Sequence, residues 1–169
     1  MKIINKILLL VIFLLLSTQY TFASNLAFID LDNILQNSNQ GQKIIKKFEK
    51  RREVEINNIK IKENDIKDLE QEIKKKQNII SQEELKIEIV KLQENIKDFN
   101  NYKNKIQSEY KKAKKDEIML FFNKVDPIIQ NYLNDNSIDI LFNNKNIVIG
   151  KDNLDITDKI IKLVNDKLK

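Results

Sequence analysis

The sequence predicts a mainly α-helical fold, in which a long antiparallel helical hairpin projects from a small body with a few short β-strands. No glycine or proline lies between Gly41 and Pro127, and the apolar residues of this stretch follow a heptad rhythm that is interrupted once. The stretch after the interruption is the longer one, and it ends in a segment that is apolar on nearly every face and must be buried. We therefore expect three parts: a signal peptide over residues 1–23, a body formed by residues 24–40 and 118–169, and a hairpin arm over residues 41–117.

The N-terminus has the pattern of a cleaved secretory signal peptide. Lys2 and Lys6 precede an apolar run over Ile7–Leu16, and the small residues around Ala23 fit cleavage after that residue. The alternative, a retained membrane anchor, needs roughly 20 apolar residues, about twice the length of this run. A lipid anchor on cysteine is excluded because the chain has no cysteine.

The mature chain opens with elements of the body. Leu26–Ile29 is a short apolar run closed by an aspartate, and it predicts a strand. Asp32–Gln36 predicts a short helix. Residues 37–41 then form a loop in which Ser38 or Asn39 caps the first helix of the arm.

The arm consists of two helices, expected over Gln42–Gln77 and Gln82–Asn134. Ser81 and Glu84 form a capping box that starts the second helix, and so short a connection makes the two helices antiparallel. Each helix carries one seam whose positions step alternately by three and four residues: Ile45, Phe48, Arg52, Glu55, Ile59, Lys62, Ile66, Leu69, Ile73, Lys76 and Ile80 in the first, and Leu85, Ile89, Leu92, Ile96, Phe99, Lys103, Ile106, Tyr110, Ala113, Glu117 and Leu120 in the second. We expect four charged seam residues to soften the arm: Arg52, Glu55, Lys62 and Lys103.

The second helix overruns the first by about one third of its length. The overrun, residues 118–133, is apolar all round and is expected to be buried by the body. Pro127 removes one backbone hydrogen bond, so we expect a bend or break near Asn123.

The chain ends in further elements of the body. Ile138–Phe142 and Ile147–Ile149 predict two strands that pair as a hairpin through the turn at residues 143–146. A C-terminal helix follows, capped by Thr157 or Asp155. A body of this size is marginally stable alone and has open strand edges, which favours a closed symmetric oligomer.

The distribution of charge and the absence of two residue types limit the functions that this chain can have. Residues 41–115 hold 21 Lys and Arg against 14 Asp and Glu, a net charge of +7, whereas the rest of the mature chain has a net charge of −4. A basic arm attracts a negatively charged partner or surface; the alternative is that these charges only solvate exposed helix faces. The chain has no cysteine and no histidine, which removes the commonest nucleophile–base pairs and the usual zinc ligands. We therefore expect no enzymatic activity, no cofactor and no metal.

Short motifs at both ends of the mature chain are more specific indicators of a protein family than the sequence of the arm. Residues 26–35 read Leu-Ala-Phe-Ile-Asp-Leu-Asp-Asn-Ile-Leu, and the C-terminal part holds Ile138–Phe142, Ile147–Ile149 and Asp155-Ile156-Thr157. These motifs resemble the opening strand and turn, the closing hairpin and the Asp-Ile-Thr signature of the Skp family of periplasmic chaperones, also called the OmpH family. The resemblance covers the whole mature chain in order.

The resemblance implies a homotrimer in which strands of three copies form a small barrel-like body and three hairpins project as tentacles around a cavity. It implies an ATP-independent holdase that encloses unfolded outer membrane proteins while they cross the periplasm. A lipopolysaccharide site has been proposed on the arms of one family member. No motif for it can be matched in this sequence, so we assign no residue to lipopolysaccharide or to another anionic membrane contact.

Candidate contacts for unfolded clients are apolar residues of the arm that lie off the seam: Val54, Ile56, Ile61, Ile87 and Val90. A basic field around them is expected from nearby lysines: Lys74, Lys75, Lys76, Lys86 and Lys91. The alternative is that the isoleucines reflect a composition rich in isoleucine and lysine. The lysine triplet also fits a solvated helix end, where positive charge is favourable.

Two pairs of acidic residues call for a similar comparison. Asp30 with Asp32, and Asp152 with Asp155, suggest a cation site or an acid–base pair. Turn formation and helix capping explain both pairs without any ligand.

Two other functions compete with the chaperone. One is a structural or tethering coiled coil of the envelope, whose arms bind an anionic membrane surface or a fixed partner. The other is nucleic-acid binding, but export and the lack of an aromatic stacking platform argue against it as a physiological role.

Overall fold

The computed structural model describes residues 24–168. The predicted signal peptide lies outside these residues. The elements follow in this order: β1 (Leu26–Ile29), α1 (Leu31–Asn37), α2 (Asn39–Lys76), α3 (Gln82–Asp135), β2 (Ile140–Asn143) and α4 (Thr157–Lys167), with single 3₁₀ turns at Asn144–Asn146 and Asp152–Leu154.

The arm is the antiparallel pair of α2 and α3, which have 38 and 54 residues and therefore extend about 57 Å and 81 Å. The predicted capping box is present, because the Ser81 side chain accepts from the Glu84 amide while the Glu84 carboxylate accepts from the Ser81 amide. Ser38 caps α2 by accepting a hydrogen bond from the Gly41 amide at 3.2 Å. Both helices thus begin within three residues of the predicted positions.

Gly41 lies inside the first turn of α2, where the backbone of α1 comes very close. A Cβ atom at this position would lie 2.0 Å from the Leu35 carbonyl oxygen and 2.8 Å from the Ser38 hydroxyl. Only glycine therefore fits here, and the tight packing of α1 on α2 explains why the sequence places glycine at the start of a long helix.

The seam of the arm follows the predicted heptad rhythm with a few departures. The apolar seam positions of α2 are buried or half-buried, whereas Arg52, Lys62 and Lys103 are exposed and Glu55 is half-buried. In α3 the rhythm is less complete, since Leu120 is exposed although its spacing assigns it to the seam.

The hydrophobic core lies in the body and at the proximal end of the arm. The C-terminal third of α3 packs on α4, and α4 in turn packs on α1. The buried residues of this core are Ala27, Ile29, Ile34, Ile44, Phe48, Phe121, Val125, Ile128, Ile129, Ile156, Ile160 and Val164.

The break predicted near Asn123 is absent, because α3 runs through Asn123 and Pro127 without interruption. Pro127 and Asn123 are both exposed, so water can bind the carbonyl group that the proline leaves without a donor. The burial of the overrun is also incomplete. Met119 and Leu120 are more than half exposed in the single chain.

The predicted hairpin of Ile138–Phe142 with Ile147–Ile149 is wrong for this chain. β2 pairs in parallel with β1, with Leu26 opposite Ile140 and Phe28 opposite Phe142. After β2, the Asn143 side chain accepts from the Lys145 amide and turns the chain into a 3₁₀ turn. Val148 and Ile149 follow at 97% and 91% exposure, since nothing among residues 24–168 covers them.

The Asp-Ile-Thr segment connects α4 to β1. Asp155 forms a parallel bridge with Phe28, on the edge of β1 opposite β2. The cap of α4 differs from the prediction, because Ile156 precedes the helix and supplies no side-chain hydrogen bond. The Asp155 carboxylate instead accepts from the Thr157 amide at 2.8 Å, and the buried Thr157 hydroxyl accepts from the Asp30 amide at 2.9 Å.

Candidate binding surface on the arm

Three of the four acidic residues that suggested a cation or acid–base site have structural partners: Asp30, Asp32 and Asp155. Asp30 caps α1 by accepting from the Asn33 amide at 2.9 Å, and Asp155 holds the first residue of α4. Asp32 forms an ion pair with Lys145, which raises the pKa of that lysine. Across residues 24–168, no group of three or more acidic side chains is arranged to bind a metal ion.

The five predicted apolar contacts are all on the surface of the arm. Between 42% and 58% of the surface of each residue is exposed, so they are available to a partner. Val54 and Ile61 lie seven residues apart on one face of α2, and Val54 shares an open groove with Ile56.

The other two residues form a separate patch, because Ile87 and Val90 lie near the start of α3. The structure therefore gives two apolar patches along the arm rather than one site. Sequence reasoning missed the most exposed apolar side chain of the arm, Ile79, which is 82% exposed in the turn between the helices. Its signal was the pair Ile79-Ile80, of which only Ile80 fits the seam.

The five predicted lysines are exposed, but acidic residues accompany them. Lys76 hydrogen-bonds Glu72, which lowers the pKa of the glutamate and raises the pKa of the lysine. Lys91 pairs with Glu88 at 3.1 Å. Residues 53–102, which make up the distal arm, hold 9 basic and 12 acidic residues.

The basic excess of the arm lies instead next to the body. Residues 43–52 of α2 and 103–115 of α3 hold 12 basic and 2 acidic residues. These two segments pack on each other, with the Phe48 and Tyr110 rings 5.6 Å apart and the Tyr110 hydroxyl donating to the Phe48 carbonyl. We call this part of the arm the basic root.

A groove of about 400 Å³ runs between α2 and α3 at the distal end of the basic root. It coincides with three charged seam positions, of which Arg52 and Lys103 are exposed and Glu55 is half-buried. We call it the arm groove, and its lining residues are Arg52, Glu55, Ile56, Ile59, Lys103, Asn104, Ile106, Gln107 and Tyr110.

A second groove of about 410 Å³ lies further along the arm. Its apolar residues include Phe99 and Tyr102, but Asp65 and Asp98 also line it. Lys62 lies over the Tyr102 ring at 5.1 Å from the centroid, which partly covers that ring. The two grooves are alike in size and differ in charge.

None of the helices within residues 24–168 is both long enough and apolar enough to cross a membrane.

Comparisons with known proteins identify the fold and the family. The family described as "Outer membrane protein (OmpH-like)" matches residues 25–164. Among curated protein sequences none matches the chain.

Six chains of solved structures match the fold. One is the crystal structure of an OmpH-like outer membrane chaperone from Caulobacter crescentus CB15, with a TM-score of 0.78 and 12% sequence identity over 89% of each chain. This likeness confirms the predicted combination of a long helical hairpin with a small β-containing body. Because the family match spans most of the sequence, this chain belongs to the OmpH-like family.

Proposed function

We propose that this protein is an ATP-independent holdase chaperone of the periplasm, which binds unfolded outer membrane proteins and prevents their aggregation during transit to the outer membrane. Membership of the OmpH-like family supports the chaperone class. The observation that carries the proposal is the arm itself. It exposes Val54, Ile56, Ile61, Ile87 and Val90 on both helices without a deep pocket that would select one ligand.

Scattered apolar contacts suit a holdase. An unfolded barrel protein presents many short apolar segments, and each exposed arm residue offers only part of the roughly 1.5–3 kcal/mol that full burial of an aliphatic side chain supplies. Many weak contacts retain a client while leaving each contact free to exchange. No nucleotide is needed for such binding, so we propose no cofactor and no catalytic role.

We propose that the working unit is a homotrimer. Parallel sheets normally have both faces covered, yet Leu26, Ile140 and Phe142 of the β1–β2 sheet are exposed. Val148, Ile149, Met119 and Leu120 add exposed apolar surface to the same body. Contact between copies would bury this surface and leave the arms as the accessible part.

The periplasmic location rests on the N-terminal sequence. Positively charged residues, the apolar run Ile7–Leu16 and the cleavage motif ending at Ala23 together support export and removal of residues 1–23.

The experiment that tests the proposal is an aggregation assay. Several unrelated β-barrel proteins are diluted from denaturant into buffer without ATP, with and without the mature protein, and turbidity is followed. We expect suppression of aggregation for all of them. A tethering protein with one fixed partner would suppress the aggregation of at most one of these β-barrel proteins. If aggregation of every client proceeded unchanged, the holdase proposal would be contradicted.

A variant series locates the contacts within the same assay. Replacing Val54, Ile56 and Ile61 by serine removes one apolar patch, and replacing Ile87 and Val90 by serine removes the other. We expect each set to require several-fold more chaperone for half-maximal suppression. The control replaces the exposed polar residues Asn64 and Gln71 of the same helix by serine, which we expect to leave suppression unchanged.

A further inference from the structure

We infer that the arm groove is a docking site for client segments in which an apolar residue has acidic neighbours. The inference deepens the proposed holdase function, because it assigns a place and a chemistry to one part of client binding. It rests on the geometry of the groove and, independently, on the distribution of charge along the arm.

The first observation is the shape and lining of the arm groove. Ile56, Ile59 and Ile106 contribute apolar surface from both helices, and the groove volume of about 400 Å³ is large enough for an amino-acid side chain. Ile56 is 42% exposed, so the apolar surface of the groove is open to solvent.

The second observation is the charge at the rim. Arg52 and Lys103 stand on opposite helices, and both are exposed. Glu55 is the only acidic residue that lines the groove, and its carboxylate lies 3.5 Å from the Tyr102 hydroxyl on the distal side. An acidic residue next to an apolar one would find Arg52 on α2 and Lys103 on α3. Lys103 lines the groove, and its ammonium lies 5.4 Å from the Phe99 ring centroid on the distal side.

The surroundings favour the same ligand. The arm groove opens at the end of the basic root, where basic residues outnumber acidic ones by 12 to 2, so the long-range field attracts acidic segments. The distal groove has nearly the same volume, but two acidic residues, Asp65 and Asp98, line it against one cation, Lys62, so its charge is less favourable to an acidic segment. Charge thus distinguishes two grooves that are similar in size.

The test uses the full mature protein with isoleucine methyl groups labelled for NMR, and soluble Gly/Ser-rich peptides as probes. One peptide carries two Leu-Asp-Leu motifs, a second carries Leu-Lys-Leu and a third carries Ser-Asp-Ser. We expect the Leu-Asp-Leu peptide to shift the methyl signals of Ile56 and Ile106 and to bind about tenfold more tightly than either other peptide, as two exposed ion pairs would allow.

The double variant R52Q/K103Q removes both rim cations without adding bulk. We expect it to weaken the Leu-Asp-Leu peptide by about tenfold. The matched variant K67Q/K97Q removes two exposed cations of the distal arm, one on each helix, that lie outside the predicted basic field, and we expect it to change the affinity by less than about twofold. Circular dichroism checks that both variants remain helical.

Three results would overturn the inference: equal weakening by the two variants, methyl shifts centred on Ile87 instead of Ile56, or equally tight binding of the Ser-Asp-Ser peptide. Equally tight binding of the Ser-Asp-Ser peptide would identify a surface that binds any acidic segment, whether or not it carries apolar residues. The outcome is separable from the holdase proposal, because aggregation assays with R52Q/K103Q report client protection whether or not the peptide binds.

Discussion

At the scale of residues, a few polar groups join the two ends of the chain, and one glycine lets α1 pack closely on α2. The buried Thr157 hydroxyl accepts from the Asp30 amide and lies 2.5 Å from the Asp155 carboxylate, so it joins the end of β1 to the start of α4. The sequence indicated a cap at this position. It could not indicate the long-range partner, because Asp30 is 127 residues away and only the folded body brings it close.

Replacing Thr157 by valine should remove this connection while keeping the shape of the side chain. We expect a loss of about 1–3 kcal/mol in the free energy of unfolding, since the Asp30 amide would lose its partner in a partly buried position. Urea denaturation followed by circular dichroism measures the change. Thr157→Ser retains the hydroxyl and should lose clearly less free energy of unfolding than the valine variant. Equal losses for the two variants would contradict this role of the hydroxyl.

Replacing Gly41 by alanine should destabilise the body, although alanine in place of glycine normally stabilises a helix. Alanine usually favours helix formation by about 1 kcal/mol relative to glycine, but here its Cβ would lie 2.0 Å from the Leu35 carbonyl oxygen. We expect a net destabilisation of about 1–3 kcal/mol from the forced shift of α1. A stabilised G41A variant in the same urea experiment would contradict the close packing of α1 on α2.

At the scale of elements, the arm was the most predictable part of the chain. Heptad spacing, the absence of helix breakers and the Ser81–Glu84 pair are local signals, and they located both helices within three residues of their observed ends. The strands were less predictable. Ile147–Ile149 has the composition of a strand, but strand pairing depends on partners elsewhere in the chain. The segment predicted to pair with it, β2, pairs with β1 instead.

The capping box at the tip of the arm should depend on pH. Hydrogen bonds from the Ser81 amide and hydroxyl lower the pKa of Glu84 below its ordinary value of 4.5. Because the pKa of the folded state is the lower one, the carboxylate stabilises the tip at pH values above 4.5. This contribution is lost as the pH falls through the lowered pKa.

Hydrogen exchange at the first turn of α3, corrected for intrinsic rates, measures this dependence. We expect protection at pH 6 to exceed protection at pH 3 in the natural sequence, and Glu84→Gln to be less protected at pH 6 and nearly independent of pH. Equal behaviour of the two proteins at both pH values would show that Glu84 does not stabilise the tip.

At the scale of the whole molecule, the single chain leaves apolar surface uncovered in the body and open to clients on the arm. The sequence predicted that the overrun of the second helix is buried, and Phe121, Val125, Ile128 and Ile129 of the overrun do lie in the hydrophobic core. It did not predict that Met119 and Leu120 stay more than half exposed, because helical periodicity does not tell which faces of an apolar helix the rest of the chain covers. The arm groove was likewise not foreseen, although its cause, charged residues at seam positions 52 and 103, was visible in the heptad pattern.

Val148 and Ile149 should take part in assembly. Their exposure of 97% and 91% is typical of apolar residues that are buried in an oligomer, and we expect V148D/I149D to dissociate the protein into folded monomers. Sedimentation velocity measures the change. The matched variant V54D/I61D places the same charges on the arm and should keep the oligomer, so dissociation of both variants would contradict the assignment.

The central claim, an oligomeric holdase, is tested most directly by light scattering of the mature protein alone and with one unfolded β-barrel client in buffer without ATP. The account predicts the mass of three chains for the protein alone and a soluble complex heavier by one client after mixing. A stable monomer whose mass does not change when the client is added would contradict it.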